Sequence, residues 1–174
     1  MIQPPASPFA AASPPWPEPG VRTIPRPARI LGFAGLLPNL FALGVELWLG
    51  HRPGAQPVTY AMGMFAQFYA AVILSFLGGM WWGLTATRIA PDRLWSWLAM
   101  AVAPSLVAAG AFVAAVWIAP PLGFAIVLGA GLMLSLFGDR RLLRAGLVPA
   151  WWMSLRVPLS VGLTLETVAA ALLV

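Results

Sequence analysis

The chain has 174 residues, of which 60% are hydrophobic and 9% charged, with a net charge of +5 and a mean hydropathy of +0.86. A water-soluble domain of this size carries charge over its whole surface, yet residues 94–138 contain no Asp, Glu, Lys or Arg, which excludes an ordinary globular protein. The absence of cysteine excludes disulfides, iron–sulfur clusters, thiolate zinc sites and a cysteine nucleophile.

Residues 1–29 hold nine of the eighteen prolines, in runs such as "QPPASP" and "SPPWPEPG". Proline removes a backbone donor and fixes φ, so this stretch reads as an extended, Pro-rich cytoplasmic arm. Residues 30–174 read as a transmembrane helical bundle, since about 20 apolar residues cross the hydrocarbon core. The first span is expected at about 30–49, with a kink at Pro38. The second, about 59–87, is long enough that it must tilt or begin in the interface. The third and fourth, about 94–118 and 122–138, are separated by a hairpin at Ala119–Pro121, with Pro104 a second expected kink. The fifth runs over about 153–174.

The ten basic residues are all arginine and lie between the spans rather than along one folded face. That pattern speaks for topology-setting charge and against a nucleic-acid partner. Arg22, Arg26, Arg29, Arg88, Arg93, Arg140, Arg141 and Arg144 fall on one side of the expected layout, and Arg52 alone on the other. The positive-inside rule then gives an N-terminus in and a C-terminus out; a bacterial inner (cytoplasmic) membrane is the expected location. Trp48 and Trp117 fall at one set of span ends, and Trp81, Trp82, Trp95, Trp97, Trp151 and Trp152 at the other, as an interfacial belt requires.

Small residues recur at every fourth position of the second span as Ala71, Ser75, Gly79 and Gly83, a face on which another helix can approach closely, from this chain or from a partner. Three polar residues are functional candidates because ionisable groups are costly inside a membrane: Glu46, Arg156 and Glu166. About ten residues, or roughly 15 Å of helix, separate Arg156 from Glu166. A carboxylate at that depth is neutral, paired, or part of a proton or cation path, and Gln67 and Asn39 are candidate neighbours for it. The single histidine, His51, is too few for a bis-histidine haem or a His-rich metal site. No catalytic residue, cofactor or metal is expected.

"FYAAVILSFLGGMWWG" (68–83), "ILGFAGLLPNLFAL" from Ile30 and "LVPAWWMSLRVPLSVG" from Leu147 together resemble the transmembrane protein 69-like family, a bacterial and mitochondrial inner-membrane family of unknown function. The resemblance covers most of the chain from residue 30 onward. It places the family pattern on Gly32, Gly35 and Pro38, on Ser75 to Gly79 with Trp82 and Gly83, and on Pro149, Trp151, Leu155 and Arg156. It also implies a His or Arg where this chain has Trp81. The expected function is a non-enzymatic accessory or assembly subunit that packs against a larger membrane complex, respiratory or photosynthetic, with the lipid bilayer and other membrane-protein subunits as partners. The alternative is a small transporter or ligand-binding membrane protein that uses Glu166 in a polar intramembrane site.

Overall fold

A computed structural model describes residues 23–50, 52–117 and 121–173 of the chain. The arm up to residue 22 with Trp16 and Arg22, His51, and the hairpin residues 118–120 lie outside the described residues. Among the described residues six helices follow one another: α1 (Arg26–Ala34), α2 (Leu37–Leu49), α3 (Gln56–Ala86), α4 (Pro91–Trp117), α5 (Pro121–Arg144) and α6 (Trp152–Leu173). With α1 and α2 taken together, they form five stretches long and apolar enough to cross a membrane, which makes this a multi-pass membrane protein.

The first span differs from expectation at both ends of its Pro38 region. Helix begins at Arg26, inside the stretch read as an arm, because Pro25 is an extended cap and Pro27 occupies the first turn, where a missing N–H costs nothing. Pro38 does not kink a continuous helix. It sits in the first turn of α2, and the chain breaks before it at Gly35–Leu36. A break at this depth must have its carbonyls satisfied by protein, since lipid offers no donor. The Tyr69 hydroxyl of α3 donates to the Gly35 carbonyl at 2.7 Å.

The other helices run longer than the apolar spans alone. At about 1.5 Å per residue the 31 residues of α3 reach about 46 Å, more than the roughly 30 Å hydrocarbon layer. Helix α5 continues six residues past the expected end at 138, so Asp139, Arg140, Arg141 and Arg144 are helical rather than in a loop. Its basic last turn faces the negative end of the helix dipole. Helix α6 carries an internal proline, Pro158, beside the expected Pro104 of α4.

Helix α3 is the central element and packs on α2, α4, α5 and α6, while α5 and α6 pair closely. One core layer joins Leu74 and Leu77 of α3 with Phe124, Leu128 and Leu132 of α5 and Leu163 of α6. A second, toward the arginine-rich end, gathers Trp81, Trp97, Ala101, Leu142, Leu147 and Val148. A third, of alanines, closes the seam of α2, α3 and α6 through Ala42, Ala66 and Ala170. The arginines of the described residues collect where α1, α4 and α6 begin and α3 and α5 end, and Arg52 lies at the opposite end.

The turn from α5 to α6 has a specific chemical cause. Gly146 adopts φ +68°, Leu147 N–H donates to the Leu142 carbonyl at 3.0 Å, and Gly146 N–H donates to the Leu143 carbonyl at 3.1 Å. This is the paired closure of a Schellman motif, and its apolar contact is made by Leu147 against Leu142. A Cβ at Gly146 would be held in this left-handed conformation, which costs a residue other than glycine about 1–2 kcal/mol. Gly146→Ala should therefore lower unfolding stability in mild detergent by about that amount, whereas Gly79→Ala, which meets no neighbour within 4 Å, should leave it unchanged or raise it by up to about 1 kcal/mol. Reversible denaturation followed by circular dichroism measures both.

Candidate functional site

Two residues one turn apart on α5, Ser135 and Asp139, face two residues one turn apart on α6, Trp152 and Arg156. Trp81 of α3 completes the group. Asp139 is fully buried and collects three donors. Its Oδ1 accepts from Trp81 Nε1 at 3.0 Å and from Trp152 Nε1 at 3.1 Å. Its Oδ2 accepts from Arg156 Nε at 2.8 Å, a charge-assisted contact. Arg156 Nη2 reaches Ser135 Oγ at 3.5 Å, and that hydroxyl donates to the Leu132 carbonyl at 2.7 Å.

Local sequence builds each part of this centre. A Cβ at position 138 would overlap the indole of Trp81, so Gly138 is what lets the ring lie against α5 beside the carboxylate. The Schellman turn and Pro149 bring α6 back antiparallel, so that Trp152 and Arg156 meet Asp139 within 17 residues of chain. Nearby, Arg88 Nη1 donates to the Leu147 carbonyl at 3.3 Å, pinning the end of α3 to the turn. The guanidinium of Arg141 lies 4.3 Å from the Trp97 ring centroid and 3.4 Å from Ser96 Oγ, tying α5 to the start of α4.

Arg156 is a candidate from sequence, at a depth from which it could snorkel toward the interface; it is instead buried and paired inward. Its partner Asp139 escapes the sequence reading, because the expected span ends at Gly138 and the next residues read as a loop. The available signal is the i, i+4 spacing of Ser135 with Asp139 and of Trp152 with Arg156. The tryptophans also divide. Trp48, Trp82 and Trp95 are exposed as a belt requires, whereas Trp81, Trp97 and Trp151 are packed inside the protein. The position at which the family resemblance implies a basic residue, Trp81, still supplies a donor to the Asp139 carboxylate.

The other candidates lie in the seam of α2, α3 and α6. Glu46 is 1% and Glu166 8% exposed, so both are sealed between helices. Asn39 does not bond to Glu166; its Nδ2 donates to Thr167 Oγ1 at 3.1 Å, and Thr167 donates in turn to the Leu163 carbonyl. Both carboxylate oxygens of Glu46, the amide of Gln67 and Glu166 Oε2 are buried without a hydrogen-bond partner among the described residues. No group of three His, Cys, Asp or Glu side chains able to hold a metal occurs among the described residues.

The small-residue face is divided too. Ala71 and Ser75 are half-buried, while Gly79 and Gly83 are exposed, and a Cβ on either would meet nothing within 4 Å. The glycine of this segment used for close helix approach is Gly78, where a Cβ would overlap the Ala101 carbonyl of α4. Among the described residues, cavities of two sizes adjoin the central core. One of about 590 Å³ between α4 and α5 is lined almost wholly by apolar side chains, several of them exposed, such as Ile126, Leu134 and Phe137. A smaller one, about 200 Å³, lies at the α1–α2 break against α3 and α6 and includes Arg156 and Ser160. Glu166 lines neither.

A family model described as "Protein of unknown function (DUF3429)" matches residues 24–172, and the chain belongs to that family. No curated protein and no solved structure matches the chain.

The Asp139–Arg156 pair is buried enough for a strong thermodynamic test. Removing one partner of a buried pair leaves an uncompensated charge and costs about 3–5 kcal/mol, whereas apolar replacement of both is often near neutral. Asp139→Leu and Arg156→Met should each destabilise by that order, and the double variant should recover most of the loss. A double-mutant cycle in detergent measures the coupling.

Proposed function

We propose that this member of the DUF3429 family is a non-enzymatic accessory or assembly subunit of the bacterial inner (cytoplasmic) membrane, packing against a larger respiratory or photosynthetic complex. In this reading its N-terminus is cytoplasmic and its C-terminus lies on the far side, following the arginine bias. The finer family assignment, to the transmembrane protein 69-like proteins, belongs to the same proposal and rests on the three sequence stretches around Ile30, Phe68 and Leu147. The bacterial and mitochondrial inner-membrane setting implied by that resemblance supports a bioenergetic partner.

One observation carries the accessory role. The Gly79 and Gly83 end of the small-residue face points away from the bundle and has open space around it. Small-xxx-small faces allow close helix contact in membranes, and among the described residues that end of the face has no such use. The second reading, a small transporter or ligand-binding protein built on Glu166, is supported by the unpartnered carboxylate of Glu46 and the unpartnered Oε2 of Glu166. Glu166 is buried and is not among the residues that line either cavity, which supports the accessory role over a conduction path.

Gly79→Leu with Gly83→Leu tests the accessory role at positions where an added Cβ meets nothing within 4 Å. Tagged wild-type protein, extracted in several mild detergents, should migrate with stoichiometric companions, and the double variant should lose them at unchanged helix content. Recovery of a lone wild-type monomer in every detergent contradicts the proposal.

A further inference from the structure

The cavity of about 200 Å³ beside the α1–α2 break has one polar wall and otherwise apolar ones. The polar wall is a single face of α6, on which Arg156 and Ser160 stand one turn apart. A guanidinium carries five N–H donors. Asp139 takes Nε and Ser135 takes Nη2, so donors remain on a side chain that lines the cavity. Ser160 is 2% exposed, and its buried hydroxyl has no hydrogen-bond partner among the described residues. A buried hydroxyl left unbonded costs free energy, so an acceptor placed between these two residues would be stabilised by both.

Charge decides what kind of acceptor fits. Arg156 is already neutralised by Asp139 at 2.8 Å. An anion entering the cavity would leave one uncompensated negative charge in apolar surroundings, whereas a neutral carbonyl oxygen brings none. The rim decides the route of entry. Leu31 and Phe76 line the cavity and are 72% and 65% exposed, on a surface read as lipid-facing, so the opening leads to the hydrocarbon layer rather than to water. Size decides how much of the molecule enters, since pockets that enclose a drug-sized ligand run from roughly 300 to 1,000 Å³.

We propose that this cavity binds the head of a neutral, membrane-dissolved amphiphile that presents carbonyl oxygens to Arg156 and Ser160, with its apolar chain leaving past Leu31 and Phe76. Two sources share that chemistry: an alkyl-tailed quinone and a neutral acylglycerol. The site is independent of any partner complex, so its test uses the isolated full-length chain and stands apart from the accessory role.

The protein, reconstituted in nanodiscs of ether-linked phosphatidylcholine to remove competing ester carbonyls, is titrated with a decyl-substituted benzoquinone in one arm and monodecanoylglycerol in the other. Native mass spectrometry counts bound molecules. One arm should saturate at one molecule per chain, and that arm names the source. Ser160→Leu, which fills the cavity, should weaken binding at least about tenfold, and Ser160→Ala, which removes only the hydroxyl, about three- to tenfold. Val127→Leu, in the separate groove between α4 and α5, should bind as wild type. If Ser160→Leu does not fold, Ser160→Ala decides. Saturation by neither probe, or wild-type affinity in the folded Ser160 variants, overturns the proposal.

Discussion

The carboxylate of Asp139 is the constraint around which this bundle is arranged. A fully buried charge in a chain otherwise suited to lipid is tolerable only when every strong acceptor direction is met, and here one residue of α5 is met from two other helices. Trp81 brings α3, Trp152 and Arg156 bring α6, and Asp139 itself belongs to α5. In lipid there is little hydrophobic drive to hold helices together, so association relies on packing and on such polar contacts. The pair also fixes register, because a shift of α6 by one residue would carry both of its donors away from the carboxylate.

The neighbouring features follow from holding those helices in that relation. The Schellman turn at Gly146 makes the return to α6 short, and Arg88 closes onto the turn carbonyl. Gly138 makes room for the Trp81 ring. Farther along, the helices that the centre orients bring α6 against the break between α1 and α2, where Gly35 is satisfied by Tyr69 and the Arg156–Ser160 cavity lies. The arrangement therefore joins stability to the proposed ligand site through one side chain, Arg156, which gives some donors to Asp139 and retains others for the cavity.

Much of this is readable from sequence and some is not, for physical reasons. The five spans follow from apolar length alone, whereas the central position of α3 shows only in its packing on α2, α4, α5 and α6. Helix ends are harder. Asp139 terminates an apolar run and so looks like the start of a loop, although a charge inside a helix is acceptable once a partner is supplied from a distant segment. Proline density conceals the start of α1, because Pro27 occupies a first-turn position where proline is tolerated. The Ala71 to Gly83 periodicity identifies a real face, but periodicity cannot say which turn of it meets a neighbour; Gly78, one residue out of step, makes the close approach to α4. Glu46 and Glu166 are recognisable as intramembrane candidates, while the chemistry with built geometry lies at the other end of α6.

The central claim, that one carboxylate joins α3 to α6, can be tested on the indole N–H groups. In a ¹⁵N-tryptophan-labelled sample the protein offers nine indole signals, of which those of Trp81 and Trp152 should exchange slowly with deuterium and lie apart from the exposed Trp48 and Trp95. Both signals should move together on Asp139→Leu, with the other indoles much less affected. If only one of the two moves, or neither does, the Asp139 carboxylate does not bridge α3 and α6, and the bundle must be held together by some other contact.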